Sequence, residues 1–202
     1  MKTSEIDILI VPGWSSSGTE HWQTRWERSL RTARRVDQDD WLHPNKDAWS
    51  RKLLSAIDDG SESKPIVIIA HSLGVALVAH AASKMHTARI AGAFLVAPAD
   101  VDNADKWPTT NGYDFDYQGS GFAPLPDKPL PFQSVLIGSA NDPYCNAERA
   151  EVLANTWGAT FISAGEAGHI NSASGHGPWP EGLMRFGWFL KQIGPANRNG
   201  AA

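Results

Sequence analysis

The chain has 202 residues, a formal net charge of −4 and a single cysteine. That length suits one domain with a sizeable core, and the mild acidity forces no basic face of the kind nucleic-acid binders carry. No apolar run approaches the roughly 20 residues that span a bilayer, and one cysteine makes neither an intrachain disulfide nor a cysteine-based zinc site.

The first residues, Met1 to Asp7, lack a long apolar signal region, so the expected location is cytoplasmic. Ile6 to Val11 is a short apolar run stopped by Pro12-Gly13, which reads as a buried strand and a sharp turn. Between Glu20 and Leu30, Trp22, Trp26 and Leu30 fall at helical spacing among charges. Arg34 to Asp39 is a weaker strand candidate. Trp49, Leu53 and Ile57 mark a second amphipathic helix that ends near Gly60.

Ile66 to Ile69 is a β-branched run that enters Ala70-His71-Ser72-Leu73-Gly74, and an almost wholly apolar helix, Val75 to Ala82, follows at once. Ile90 to Ala97 is another apolar strand, closed by Pro98. From 98 to 131 no period holds, and prolines, glycines and aromatics alternate with aspartates. Such a loop is uncommon in a compact domain. It reads either as a small lid over a site or as a surface excursion packed by its own aromatics. Ser134 to Ser139 and Thr160 to Ser163 are strands around a helix from Asn146 to Trp157, and Leu183, Phe186, Leu190 and Ile193 mark a last helix. The domain is expected over 1–194, with 195–202 a flexible tail. The alternation predicts an α/β fold, a mainly parallel six-stranded sheet with helices on both faces.

In an open parallel sheet, functional groups collect at the carboxyl ends of strands. Those ends carry Pro12-Gly13-Trp14, His71-Ser72, Asp100, Asn141-Asp142-Pro143 and Gly168-His169-Ile170-Asn171. Strand, serine, helix is the arrangement of a nucleophile elbow, whose usual pattern is Gly-x-Ser-x-Gly. Ala70 stands where the first glycine is usual. A competing reading makes Ser72 the cap of the helix after it. A hydroxyl needs a base as it attacks, and an imidazole, with an ordinary pKa near 6.5, suits that task. His71, His169 and His176 compete for it. His169 follows the final strand, where a base belongs, while His71 adjoins the serine and points another way. The acid that orients the imidazole is Asp142 or Asp100, and chain order favours Asp142.

Two backbone N–H groups, of Leu73 after the serine and Trp14 after the first strand, are the expected oxyanion donors. Cys145 reads as a small buried thiol. Of the nine tryptophans, Trp14 and Trp179 lie at the rim and are either pocket wall or core. His21 and Phe122 are further pocket candidates.

Together these residues resemble the small α/β-hydrolase family of serine hydrolases that includes the retinoblastoma-binding serine hydrolase and its bacterial relatives. The resemblance spans nearly the whole chain. It rests on Ile10-Val11-Pro12-Gly13-Trp14, His21-Trp22-Gln23 with Trp26, the serine segment, Val96-Ala97-Pro98, Asn141-Asp142-Pro143-Tyr144-Cys145, and Gly168-His169-Ile170-Asn171 running into Gly177-Pro178-Trp179-Pro180. It implies a sheet lacking the first two strands of larger hydrolases, a minimal lid, the triad Ser72, Asp142 and His169, and tolerance of alanine at position 70. It also implies hydrolysis of small esters or amides without cofactor or metal. Family members have been linked to protein binding, which these residues do not indicate. Two rival expectations are a binding module with a vestigial triad and an acyltransferase that uses the same three residues.

Overall fold

The structure is a computed structural model that describes residues 1–193 except 62 and 111; the expected tail at 195–202 lies outside the described residues. Six strands, β1 (Asp7–Val11), β2 (Ala33–Arg35), β3 (Ile66–Ser72), β4 (Ile90–Pro98), β5 (Ser134–Gly138) and β6 (Thr160–Ser163), form one sheet in the order β2-β1-β3-β4-β5-β6. Every pairing is parallel. The helices are α1 (Trp22–Ser29), α2 (Lys46–Asp58), α3 (Leu73–Ala81), α4 (Ala147–Trp157) and α5 (Pro180–Gln192). None is long and apolar enough to cross a membrane.

Successive strand residues point to opposite faces of a sheet, and the core divides accordingly. Leu9, Val11, Ile68 and Leu95 face Trp49, Leu53 and Ile57 of α2, the apolar side of α3, and Leu153 and Trp157 of α4. Ile8, Ile10, Val67, Ile69 and Phe94 face Trp22 and Trp26 of α1 and Phe186, Phe189 and Leu190 of α5. The helices therefore cover both faces. On the second face Phe94 is the hub, with ring centroids 5.4 Å from Phe186 and 6.1–6.5 Å from Phe189, Trp26 and Trp179.

Several boundaries differ from the sequence reading, each for a local reason. The second strand is three half-buried residues instead of six. It is the sheet edge, and beyond Arg35 only the Val36 N–H bond to the Ile10 carbonyl continues the ladder. The α3 helix begins at Leu73, directly after the serine. Pro180 opens α5 at a first-turn position, where its missing N–H costs nothing. Within 98–131, Val101–Lys106 is a 3-10 turn and an isolated bridge joins Thr110 to Tyr113. Phe115, Phe122 and Leu125 anchor this segment in the α2–α3–α4 side of the core.

The chain runs from β1 outward to the β2 edge and then returns to place β3 on the other side of β1. That reversal of strand order is the switch point at which open α/β sheets form their crevice. Val11 pairs with Ala70 across it, so the turn after β1 and the turn after β3 emerge side by side.

Candidate active site

Two glycines let those turns interlock. A Cβ on Gly13 would lie 2.6 Å from the Ser72 Cβ and 2.9 Å from the Leu73 nitrogen, and one on Gly74 would lie 2.4 Å from the Val11 carbonyl oxygen. Backbone passes backbone where no side chain fits. Ser72 itself sits at φ 56°, ψ −126°, outside the conformations a serine ordinarily adopts. Its hydroxyl makes no capping bond to α3. It turns instead to His169, with Oγ 2.8 Å from Nε2.

The rest of the constellation is built on the ends of β5 and β6. His169 Nδ1 lies 2.8 and 2.9 Å from the two carboxylate oxygens of Asp142. A carboxylate there only accepts, so Nδ1 carries the proton and Nε2 is left to accept from the serine. The Asp142 side chain is wholly buried and also accepts from the Tyr144 N–H at 2.9 Å. Asn141 ties the two loops together. Its Oδ1 accepts from the Gly168 N–H at 2.6 Å and from the Ser139 hydroxyl at 3.0 Å, and Ser139 in turn accepts from the Ala167 N–H. From the other side, the buried Trp22 indole donates to the Ile170 carbonyl at 2.9 Å. The imidazole is thus held by partners on three sides of its loop.

The competitors are placed elsewhere. His176 pairs with the Ser174 hydroxyl at 3.2 Å and edges onto Trp179. Asp100 accepts from Asn103 at 2.6 Å, and the Arg149 guanidinium sits 3.1 Å from its other oxygen without hydrogen-bond alignment. Its N–H donates to the Tyr144 carbonyl, so it braces the turn that carries Asp142. Cys145 is buried, and burial followed by the charges of Asp100 and Asp142 pushes its thiol well above the ordinary range.

His71 is part of the site in a way the sequence reading did not find. Its Nε2–H donates to the His169 carbonyl at 2.9 Å. Burial, and then the proximity of His169 and His21, hold its pKa well below 6.5, so it is a neutral imidazole. His21 follows it in a row of rings, with centroids 4.9 Å from His21 to His71 and 4.8 Å from His71 to His169.

A cavity of about 390 Å³ opens onto Ser72 and His169. Its wall includes Gly13, Trp14, His21 and His71, as well as Trp107 and Thr110 from the 98–131 segment and Tyr144, Asn171 and Ser172. The Tyr144 ring lies 4.3 Å from His169 and its hydroxyl 2.8 Å from that of Thr110. Trp179, expected as pocket wall or core, and Phe122, a pocket candidate, are core residues. Trp179 packs 5.0 Å from Trp22 and needs Gly182, whose Cβ would strike its ring. Phe122 is fully buried against Trp49 and His80. Trp14 serves both ways, lining the cavity while its indole donates to the Leu42 carbonyl and its ring meets Phe115. Among the described residues, no group of three or more His, Cys, Asp or Glu side chains is arranged to hold a metal ion.

A doubly covered parallel sheet with a strained serine at its switch point is the architecture of an α/β-hydrolase. The serine hydrolase family model matches residues 8–188, and the chain belongs to that family. By structure it is similar to a YdeN-like hydrolase from Pectobacterium atrosepticum, at 30% identity and TM-score 0.80 over 96% of this chain and 95% of that one. The ydeN gene product of B. subtilis is similar at 18% identity and TM-score 0.69, over 92% and 99% of the two chains. Est1E from Butyrivibrio proteoclasticus, in a structure with ferulic acid bound, shares the fold at 14% identity and TM-score 0.68, over 93% and 89%. No curated protein matches the sequence.

Proposed function

We infer that the chain hydrolyses small esters through an acyl-enzyme on Ser72, with His169 as general base and Asp142 orienting it. The observation that carries this reading is the unbroken relay from the Ser72 hydroxyl to His169 and on to the buried Asp142, each link 2.8–2.9 Å. As Ser72 Oγ attacks the ester carbonyl, its proton passes to His169 Nε2, and Asp142 stabilises the imidazolium. The tetrahedral oxyanion is met by the N–H groups of Leu73 and Trp14. Leu73 opens α3, where the first amides have no helical partner.

Collapse of the intermediate breaks the bond to the alcohol, which leaves with the proton from His169. Water then enters, gives a proton to the same nitrogen, attacks the acyl carbon, and the acid departs as Ser72 recovers its proton. Amides are the harder substrates of the same route. The cavity volume and its aromatic wall of Trp14, Trp107 and Tyr144 suit a small acyl group.

The test is turnover of a panel of fluorogenic esters by wild type, Ser72→Ala, His169→Ala and the double variant. Each single variant should lose several orders of magnitude, and the double variant little more, because the residues act as a unit. Full activity in Ser72→Ala would overturn the reading. Release of free acid in the presence of a competing alcohol distinguishes hydrolysis from acyl transfer.

A further inference from the structure

His21 occupies an unusual post. It caps α1, accepting the Gln23 N–H on ring Nδ1 at 3.1 Å. Serine, threonine, aspartate or asparagine does that work better, so capping does not explain an imidazole. What the ring adds is a second nitrogen on its far side. With Nδ1 accepting, a neutral ring carries its proton on Nε2. Among the described residues Nε2–H makes no hydrogen bond to the protein, and His21 lines the same cavity as Ser72 and His169. Its neutrality follows from its place. Burial, then the proximity of His169 and Arg35, lowers its pKa to about 3.

The post is also rigid. The wholly buried Gln23 side chain donates to the carbonyls of Val11, at the end of β1, and Ile69, within β3, and accepts from the Ser17 hydroxyl at 2.7 Å. The first turn of α1 is thereby fastened to the two strands whose turns form the elbow. Trp22 and His71 flank the imidazole ring, with centroids at 5.5 and 4.9 Å. A donor held this way keeps its distance from the serine, as a specificity group must. The remaining wall narrows what it can meet. Among the described residues no Asp, Glu, Lys or Arg side chain lines the cavity, while Ser15, Ser16, Thr110, Asn171 and Ser172 do. A charged substrate would leave its counter-ions in water and find none here.

We propose that His21 is the specificity-determining donor, its Nε2–H binding an oxygen that an uncharged ester substrate carries beside the scissile bond, as an ether, hydroxyl or second carbonyl. The inference rests on Ser72 being the nucleophile. A plain hydrocarbon ester would cover this cavity-facing donor without pairing it, and is disfavoured for that reason.

The experiment compares esters in which one CH₂ is replaced by O: 3-methoxypropionate against pentanoate on the acyl side, and 2-methoxyethyl against butyl on the alcohol side. Wild type, His21→Ser and His21→Phe are assayed with both pairs. Serine retains a cap but is too short to reach the cavity, and phenylalanine retains the ring without its nitrogens. The readout is the kcat/KM ratio within a pair, compared between wild type and variant, which cancels the intrinsic reactivity of each ester. Active protein is counted by fluorophosphonate labelling of Ser72, so partial misfolding of a variant does not enter the ratio.

The expected result is a ratio in wild type about tenfold or more above that in both variants, in one of the two pairs, and the pair that responds shows on which side the oxygen sits. Equal ratios in wild type and variants, with both esters turned over, overturn the role of His21 and leave the hydrolase reading standing. A wild type that neither labels nor turns over any ester overturns both.

Discussion

The Nε2–H of His71 donates to the backbone carbonyl of His169 at 2.9 Å. The residue just before the serine thus holds the loop that carries the imidazole facing that serine. Strand alternation turns the two side chains of His71 and Ser72 apart, so Ser72 meets the His169 ring while His71 clamps the His169 backbone. His71→Phe keeps the ring volume and removes the donor, leaving a buried carbonyl unpaired at a cost of about 1–3 kcal/mol. The displaced imidazole should lower kcat by about 10- to 100-fold with KM little changed, and His71→Gln should recover part of the loss. Steady-state kinetics on one ester checks this; a KM effect alone would assign His71 to substrate binding.

The two acidic candidates separate by variant. Asp142→Asn should reduce kcat by about 10⁴, because an amide in that position selects the wrong imidazole tautomer. Asp100→Asn should stay within about tenfold of wild type in rate, since Asp100 faces Arg149 and Asn103 and, among the described residues, reaches the site through the Tyr144 carbonyl. The reverse order of effects in a parallel assay would move the acid to Asp100.

Gly74 makes a prediction about stability. Gly74→Ala places a methyl 2.4 Å from the Val11 oxygen and 2.7 Å from that of Pro12, and the backbone of both must shift. The expected destabilisation is about 1–3 kcal/mol or more. Gly187→Ala, on the exposed side of α5 with nothing within 4 Å of the new Cβ, should instead stabilise by about 0.4–1 kcal/mol. Urea denaturation of both variants beside wild type reads the pair.

Acid should weaken the fold through the two neutral histidines. In the unfolded chain both imidazoles take up protons as pH falls through about 6.5. The folded protein resists at His71 and does not protonate His21 until about pH 3. Between those limits the unfolded state binds more protons, so unfolding free energy falls as pH falls. Thermal melts from pH 7.5 to 4.5 should show Tm dropping, and the gap between wild type and His71→Phe narrowing toward low pH. A gap that stays constant would mean His71 titrates alike in both states.

How far the sequence reached follows from what each signal encodes. Apolar runs closed by turn residues located the strands at the centre of the sheet, and chemistry at strand ends singled out Ser72, Asp142 and His169 as residues that the fold brings within hydrogen-bond reach. Periodicity does not say where an edge ladder starts or stops, so the expected strand at Arg34 to Asp39 begins one residue late and runs four residues past the observed Ala33–Arg35. An aromatic residue announces burial without saying on which surface. For that reason Trp179 and Phe122 entered the core, whereas Trp107 and Tyr144 took the cavity wall. The bond from His71 to a carbonyl 98 residues away, and the Asn141 bridge between two loops, are tertiary facts that no local pattern carries.

A fluorophosphonate probe tests most directly whether Ser72 is an activated nucleophile. Intact protein at neutral pH should gain one probe mass, located by peptide mapping on the segment that contains Ser72. Labelling should be abolished in Ser72→Ala and slowed by orders of magnitude in His169→Ala. A folded wild type that takes up no probe, or takes it up at another serine, would contradict the account.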